Sequence, residues 1–154
     1  MENTYFKELE DAGRAFEEKR EAFLKKKEQI IEEKGWDSEE LKAWYEEKKA
    51  MTFPYTDGEV KAYRAWRFST EEDKEELELD DFLWDREVAD FAKALRKAGI
   101  KTFIYTNTST ALMENIHHLA TEGITLEGLA TVEKKNYFCE GGVEKRPGLR
   151  FKVN

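Results

Sequence analysis

This sequence is poor in the residues that announce chemistry. Among 154 residues it has one cysteine, Cys139, two histidines and two prolines. A single cysteine excludes an intramolecular disulfide, and the expectation is a protein of the reducing cytoplasm. Cys139, beside Tyr137 and Phe138, is a reactive thiol only if a base lies near it in space, and an inert cysteine is the default. His117 and His118 are neighbours, so on a helix they point about 100° apart. Zinc-binding helices space their histidines to share a face, and no metal is expected here. No glycine-rich loop has nucleotide or dinucleotide spacing, no nucleophile constellation is evident, and no cofactor is implied. No apolar run approaches the roughly 20 residues that cross a bilayer. Met1-Glu2-Asn3-Thr4 opens a charged helix without an apolar signal region. Basic charge is short as well: 26 Lys and Arg stand against 34 Asp and Glu, a net charge of −8. That balance argues against direct nucleic-acid binding and favours a partner with a basic surface.

What is present suits one folded domain over residues 1–154. Hydrophobic residues make up 40% and aromatics 13%, enough for an ordinary core. The charged fraction of 39% is far above the globular average of about 25%, so much of the surface is solvated helix. Acid is concentrated early. Residues 1–50 hold 15 acids and 11 bases, residues 51–100 hold 13 and 8, and the remainder hold 6 and 7.

Residues 1–70 read as helical. Leu9, Phe16, Phe23 and Ile30 recur every seven residues along a helix expected over Thr4–Lys34, with Gly35 as its stop. The second seam of a coiled coil fails, because sevens from Tyr5 and Ala12 land on Lys19 and Lys26. Packing within the domain is therefore expected, with a dimer through this helix as the alternative. Asp37 and Glu40 make a capping box for a second helix carrying Leu41, Trp44 and Tyr45. Phe53-Pro54-Tyr55 breaks the chain, and Thr56-Asp57-Gly58-Glu59 opens a third helix with Val60, Tyr63, Trp66 and Arg67 on one side.

Residues 71–90 are a composition shift, with 11 acids against Lys74 and Arg86. Leu77, Leu79, Phe82, Leu83 and Trp84 interrupt the acid, so the expectation is a surface segment pinned to the domain. Beyond it, residues 85–154 read as an α/β part. Val88, Phe91, Ala92 and Leu95 mark a helix stopped by Gly99, and Ile100–Tyr105 is a short buried strand. A helix with Leu112, Met113, Ile116 and Leu119 ends at Gly123. Ile124–Lys135 is a longer strand with Leu126, Gly128, Ala130 and Val132 on one face. Asn136–Gly148 is expected to be a loop, and Leu149, Phe151 and Val153 a closing antiparallel strand. The fold class is α+β: one long and two shorter helices on a small three-stranded mixed sheet, with a β-α-β crossover.

Two places compete as functional sites. Thr106, Asn107, Thr108, Ser109 and Thr110 lie between a strand end and a helix start, where open α/β sheets bind ligands and helix N–H groups hold anions. The plain alternative is that Thr108, Ser109 or Thr110 caps the helix. The other place is the acidic tract, with Glu71, Glu72, Asp73, Glu75, Glu76, Glu78, Asp80 and Asp81 as candidate partner-binding residues. A charge run is usually a solvated face, but this density also imitates a phosphate backbone. Lys61, Arg64 and Arg67 alternate with Tyr63, Trp66 and Phe68. They either grip single-stranded nucleic acid or pair with the neighbouring acids.

Gly35-Trp36, Pro54-Tyr55 with Gly58-Glu59, Arg64-Ala65-Trp66-Arg67, Ser109-Thr110 with Leu112-Met113, and Leu126-Glu127-Gly128-Leu129 give a resemblance. With these motifs the chain resembles a family of small, uncharacterised acidic proteins encoded mostly on mobile elements and prophages of Gram-positive gut bacteria. Such proteins often bind host machinery, anti-CRISPR proteins among them. The resemblance implies that context and no activity of its own. With the acidic tract it leads to the expectation of a non-enzymatic cytoplasmic interaction protein, a monomer or weak homodimer, that inhibits or modulates a nucleic-acid-handling host protein such as a CRISPR-type nuclease. The alternatives are a small α/β ligand-binding or enzyme domain using Thr106–Thr110 and a structural dimer through the N-terminal helix.

Overall fold

The computed structural model describes residues 2–136 and 142–154. Cys139, with Tyr137 and Phe138, lies outside the described residues. Two compact units divide the chain: Lys7–Tyr55, and the chain up to Phe6 together with Thr56–Asn154.

The first unit is a pair of helices. α1 runs over Thr4–Lys34 and enters the unit at Lys7, and α2 covers Glu39–Ala50. Glu, Lys, Arg and Ala dominate both, and all are good helix formers. Gly35, at φ 83°, takes the left-handed conformation that ends α1. The cap of α2 falls one residue later than the sequence suggests. Ser38, not Asp37, is extended, and its hydroxyl accepts from the Leu41 N–H. Trp44 is the anchor: it stacks on Phe23 at 4.6 Å, and its indole N–H donates 2.8 Å to the Phe23 carbonyl. Phe16 meets Phe53 edge-on at 5.4 Å. The heptad aromatics thus serve their own unit.

The second unit is built on α3 (Asp57–Glu71), β1 (Leu77–Leu79), α4 (Val88–Lys97), β2 (Thr102–Tyr105), α5 (Leu112–Thr121), β3 (Ile124–Asn136) and β4 (Gly142–Val153). Thr56 caps α3 by accepting from the Glu59 N–H. Gly58 lets α3 approach the start of α4, since a Cβ there would stand 2.8 Å from the Phe91 backbone nitrogen.

The sheet has four strands, in the order β1-β2-β4-β3, where three were expected. The additional one, β1, comes from the acidic tract. It pairs parallel to β2, and the remaining ladders are antiparallel. Its Leu77 and Leu79 join Phe103, Tyr105, Phe151, Val153 and Ile124 in one core with α3, α4 and α5. The adjacent parallel pair is therefore β1 and β2 across α4, whereas β4 separates β2 from β3.

Two further expectations fail for identifiable reasons. Of the loop expected over Asn136–Gly148, Asn136 lies in β3 and Gly142 onward in β4, while residues 137–141 lie outside the described residues. Pro147 is tolerated because β4 pairs with β2 only as far as Leu149, leaving a two-stranded arm with a ladder on one side. A bulge at Glu127 then changes the face of β3: Leu126 pairs with Phe151, but Gly128 pairs with Arg150. Leu126 and Gly128 consequently do not share a face.

Candidate functional site

The acidic tract and the helix-free face of the sheet make the site. Glu78, Ile104 and Arg150 lie side by side across β1, β2 and β4 on that face. Arg150 reaches Glu76 with its Nε and Nη2, the shortest contact being 2.8 Å, and the Thr102 hydroxyl donates to the same carboxylate at 3.1 Å. The Arg150 guanidinium holds the Glu76 carboxyl below its ordinary value, against the opposing effect of partial burial. Glu78 is buried and paired with Lys74 at 3.0 Å, and its backbone N–H donates to the Ser69 hydroxyl of α3. Ser69 in turn donates to the Ala65 carbonyl. This relay seals the outer edge of β1.

Ion pairs reach much of the tract from elsewhere in the chain. Glu71 pairs with Arg67 at 2.9 Å, Asp80 with Arg146 at 2.8 Å, and Glu87 with Lys61 at 2.7 Å in a largely buried pair. Lys61 also donates to the Phe82 carbonyl. Residues 71–90 carry net −9 in sequence. Lys61, Arg67, Arg146 and Arg150 bring that to −5 in space. Two of the three aromatic-flanked cations are thereby engaged with acids. Arg64, the third, is exposed and lines a groove of about 300 Å³ with Asp80 and Asp81.

A larger cleft, about 480 Å³, opens between the acidic tract and the β3–β4 arm. Glu72, Asp73, Glu75, Glu76 and Glu133 line it with Lys74 and Arg150, above a floor that includes Ile104, Val132 and Val143. Five carboxylates therefore face two cations, and both cations are already held by Glu76 and Glu78. Asp73 stands in the left-handed region at φ 54° and is exposed, as is Glu75. Arg146, Arg150 and Glu133 have no signature in the acidic tract itself. The one sequence signal is that Arg146 and Arg150 lie four apart in an alternating strand, hence on one face.

Three residues of the Thr106–Thr110 loop make hydrogen bonds within the chain. Thr106 is buried beside the Leu79 carbonyl, Asn107 donates to the Asp80 carbonyl at 3.0 Å, and Ser109 accepts from the Ala111 N–H at 3.0 Å. Thr108 and Thr110 are exposed. The residue capping α5 is Ala111, which has no side-chain bond to give. From β1 to β2 to β3 the chain steps across the sheet in one direction, so no strand-order reversal opens a crevice at these strand ends. His118 lies 3.4 Å from Asp85, and among the described residues no group of His, Cys, Asp and Glu could hold a metal ion. No helix among them is long and apolar enough to cross a membrane.

A family model described as a domain of unknown function, DUF7698, matches residues 61–153. The chain belongs to this family. The match begins in α3 and runs through β4, so it takes in every residue lining the cleft. No curated protein and no solved structure matches the chain.

Proposed function

We propose that this DUF7698 protein is a non-enzymatic interaction protein that receives a basic segment of another protein in the acidic cleft. One arrangement supports the reading: Asp73 and Glu75 stand exposed at a cleft where the two cations among the described residues are already satisfied by Glu76 and Glu78. An arriving Lys or Arg thus meets uncompensated carboxylate, and the apolar floor accepts its methylene stem. Such segments line the grooves of proteins that handle nucleic acids. In this reading the partner is a host protein of that kind, and filling its groove modulates or inhibits it.

The test uses a hexa-arginine peptide followed by fluorescence anisotropy over a salt series. Saturable binding that weakens steeply with salt is the expected result, because screening acts within about 8 Å at physiological ionic strength. No saturable binding at low salt overturns the reading.

A further inference from the structure

The two ends of the sheet are finished differently. At β1 the edge is three residues long and closed by Ser69. At β3 it is 13 residues long. Every backbone ladder of β3 goes to β4, and among the described residues the one side-chain donor to its backbone is Lys74, 3.5 Å from the Glu133 carbonyl at the cleft. Leu129 is 86% exposed on this strand and Leu126 is 47% exposed. A long open edge of this kind is a template for another strand.

We propose that a second copy of this chain pairs with it, β3 against β3, antiparallel about a two-fold axis at Thr131. Charge selects both the occupant and the register. Glu127 and Lys134 are exposed, and among the described residues neither makes an ion pair within 4.0 Å, although Lys134 stands opposite Glu144 on β4 and Glu127 acts on Arg150 at longer range. With the axis at Thr131, Lys134 of one copy faces Gly128 and the bulged Glu127 of the other, and symmetry makes that pairing twice. Ala130 then faces Val132, Thr131 faces its own counterpart, and Leu129 lies along the stem of Glu133. Shifting the axis to Ala130 sets Glu127 against Glu133, like against like. Shifting it to Leu129 sets Glu127 against Thr131 and loses the ion pairs. The bulge disturbs only the start of the edge, and Gly128 to Lys134 pair regularly with β4.

Sedimentation of the full chain over a concentration series tests this. A reversible dimer is the expected result. Glu127→Lys and Lys134→Glu should each raise its dissociation constant by about tenfold, since each reversal acts at two symmetric places. The double variant should restore wild-type association. Both positions are exposed, and circular dichroism checks that folding is kept. Hydrogen exchange of the unaltered protein gives a second readout: outward amides between Gly128 and Lys134 should exchange more slowly in concentrated than in dilute samples. A monomer at every concentration overturns the proposal. So does a dimer indifferent to the single reversals, a double variant no better than either single one, or exchange independent of concentration.

Discussion

Arg150 and Glu76 are 74 positions apart in the chain and meet at 2.8 Å on the helix-free face of the sheet. Arg150 lies in the part of β4 that pairs with both β2 and β3, while Glu76 directly precedes β1. The pair fastens the acidic tract to the sheet. It also fixes one carboxylate of the cleft, whereas Asp73, Glu75 and Glu133 stand exposed there.

The first prediction follows from that pair. The Glu76 carboxyl titrates lower in the folded protein than in the unfolded chain, where it sits near 4.5. Its contribution to stability is therefore present above pH 4.5 and lost as pH falls through the depressed folded value. Denaturant unfolding of the wild type and Glu76→Gln across pH 3 to 7 should show the wild-type advantage shrinking on the acid side. A constant difference over that range contradicts the assignment.

Much of this architecture was legible in the sequence, and the failures share a cause. The helices of the chain, from α1 to α5, announce themselves by apolar spacing and by stops such as Gly35 and Gly99, which are local signals. β1 was invisible because Leu77-Glu78-Leu79 offers one period of alternation inside a run of acid. Only the parallel pairing to Phe103–Tyr105 makes it a strand. The β3–β4 arm was cut short because Pro147 and the glycines around it read as turn residues. The cleft depends on Glu133 and Arg150 meeting the tract from 59 and 74 residues away, a distance over which composition carries no information.

The second prediction concerns the buried pair of Lys74 and Glu78. Lys74→Met keeps the aliphatic stem and strands a carboxylate that is 4% exposed. Removing one partner of such a pair typically costs about 3 kcal/mol or more. Lys74→Met with Glu78→Gln should recover part of that loss, as both charges are gone. Chemical denaturation measures both, and a single variant as stable as wild type would contradict the burial of Glu78.

The third concerns the helical unit. Phe23 contributes its ring to Trp44 and its carbonyl to the indole N–H. Phe23→Ala removes the ring and should cost about 2 kcal/mol, less than a fully buried phenylalanine because Phe23 is only partly covered. Trp44 fluorescence should shift to the red in the folded variant. An unchanged emission maximum and an unchanged denaturation midpoint would show that the aromatic pair does not hold α1 to α2.

The most direct test of the acidic cleft compares two pairs of substitutions that remove equal charge. Asp73→Asn with Glu75→Gln neutralises two exposed carboxylates of the cleft, and Glu71→Gln with Asp80→Asn neutralises acids held by Arg67 and Arg146. The measurement is the affinity of the hexa-arginine peptide for each double variant at fixed low salt. Binding should weaken about tenfold or more for the first pair. The second pair should weaken it little, because the freed Arg67 and Arg146 lie away from the cleft lining. Equal losses from the two pairs would show a diffuse response to net charge and contradict a site at the cleft.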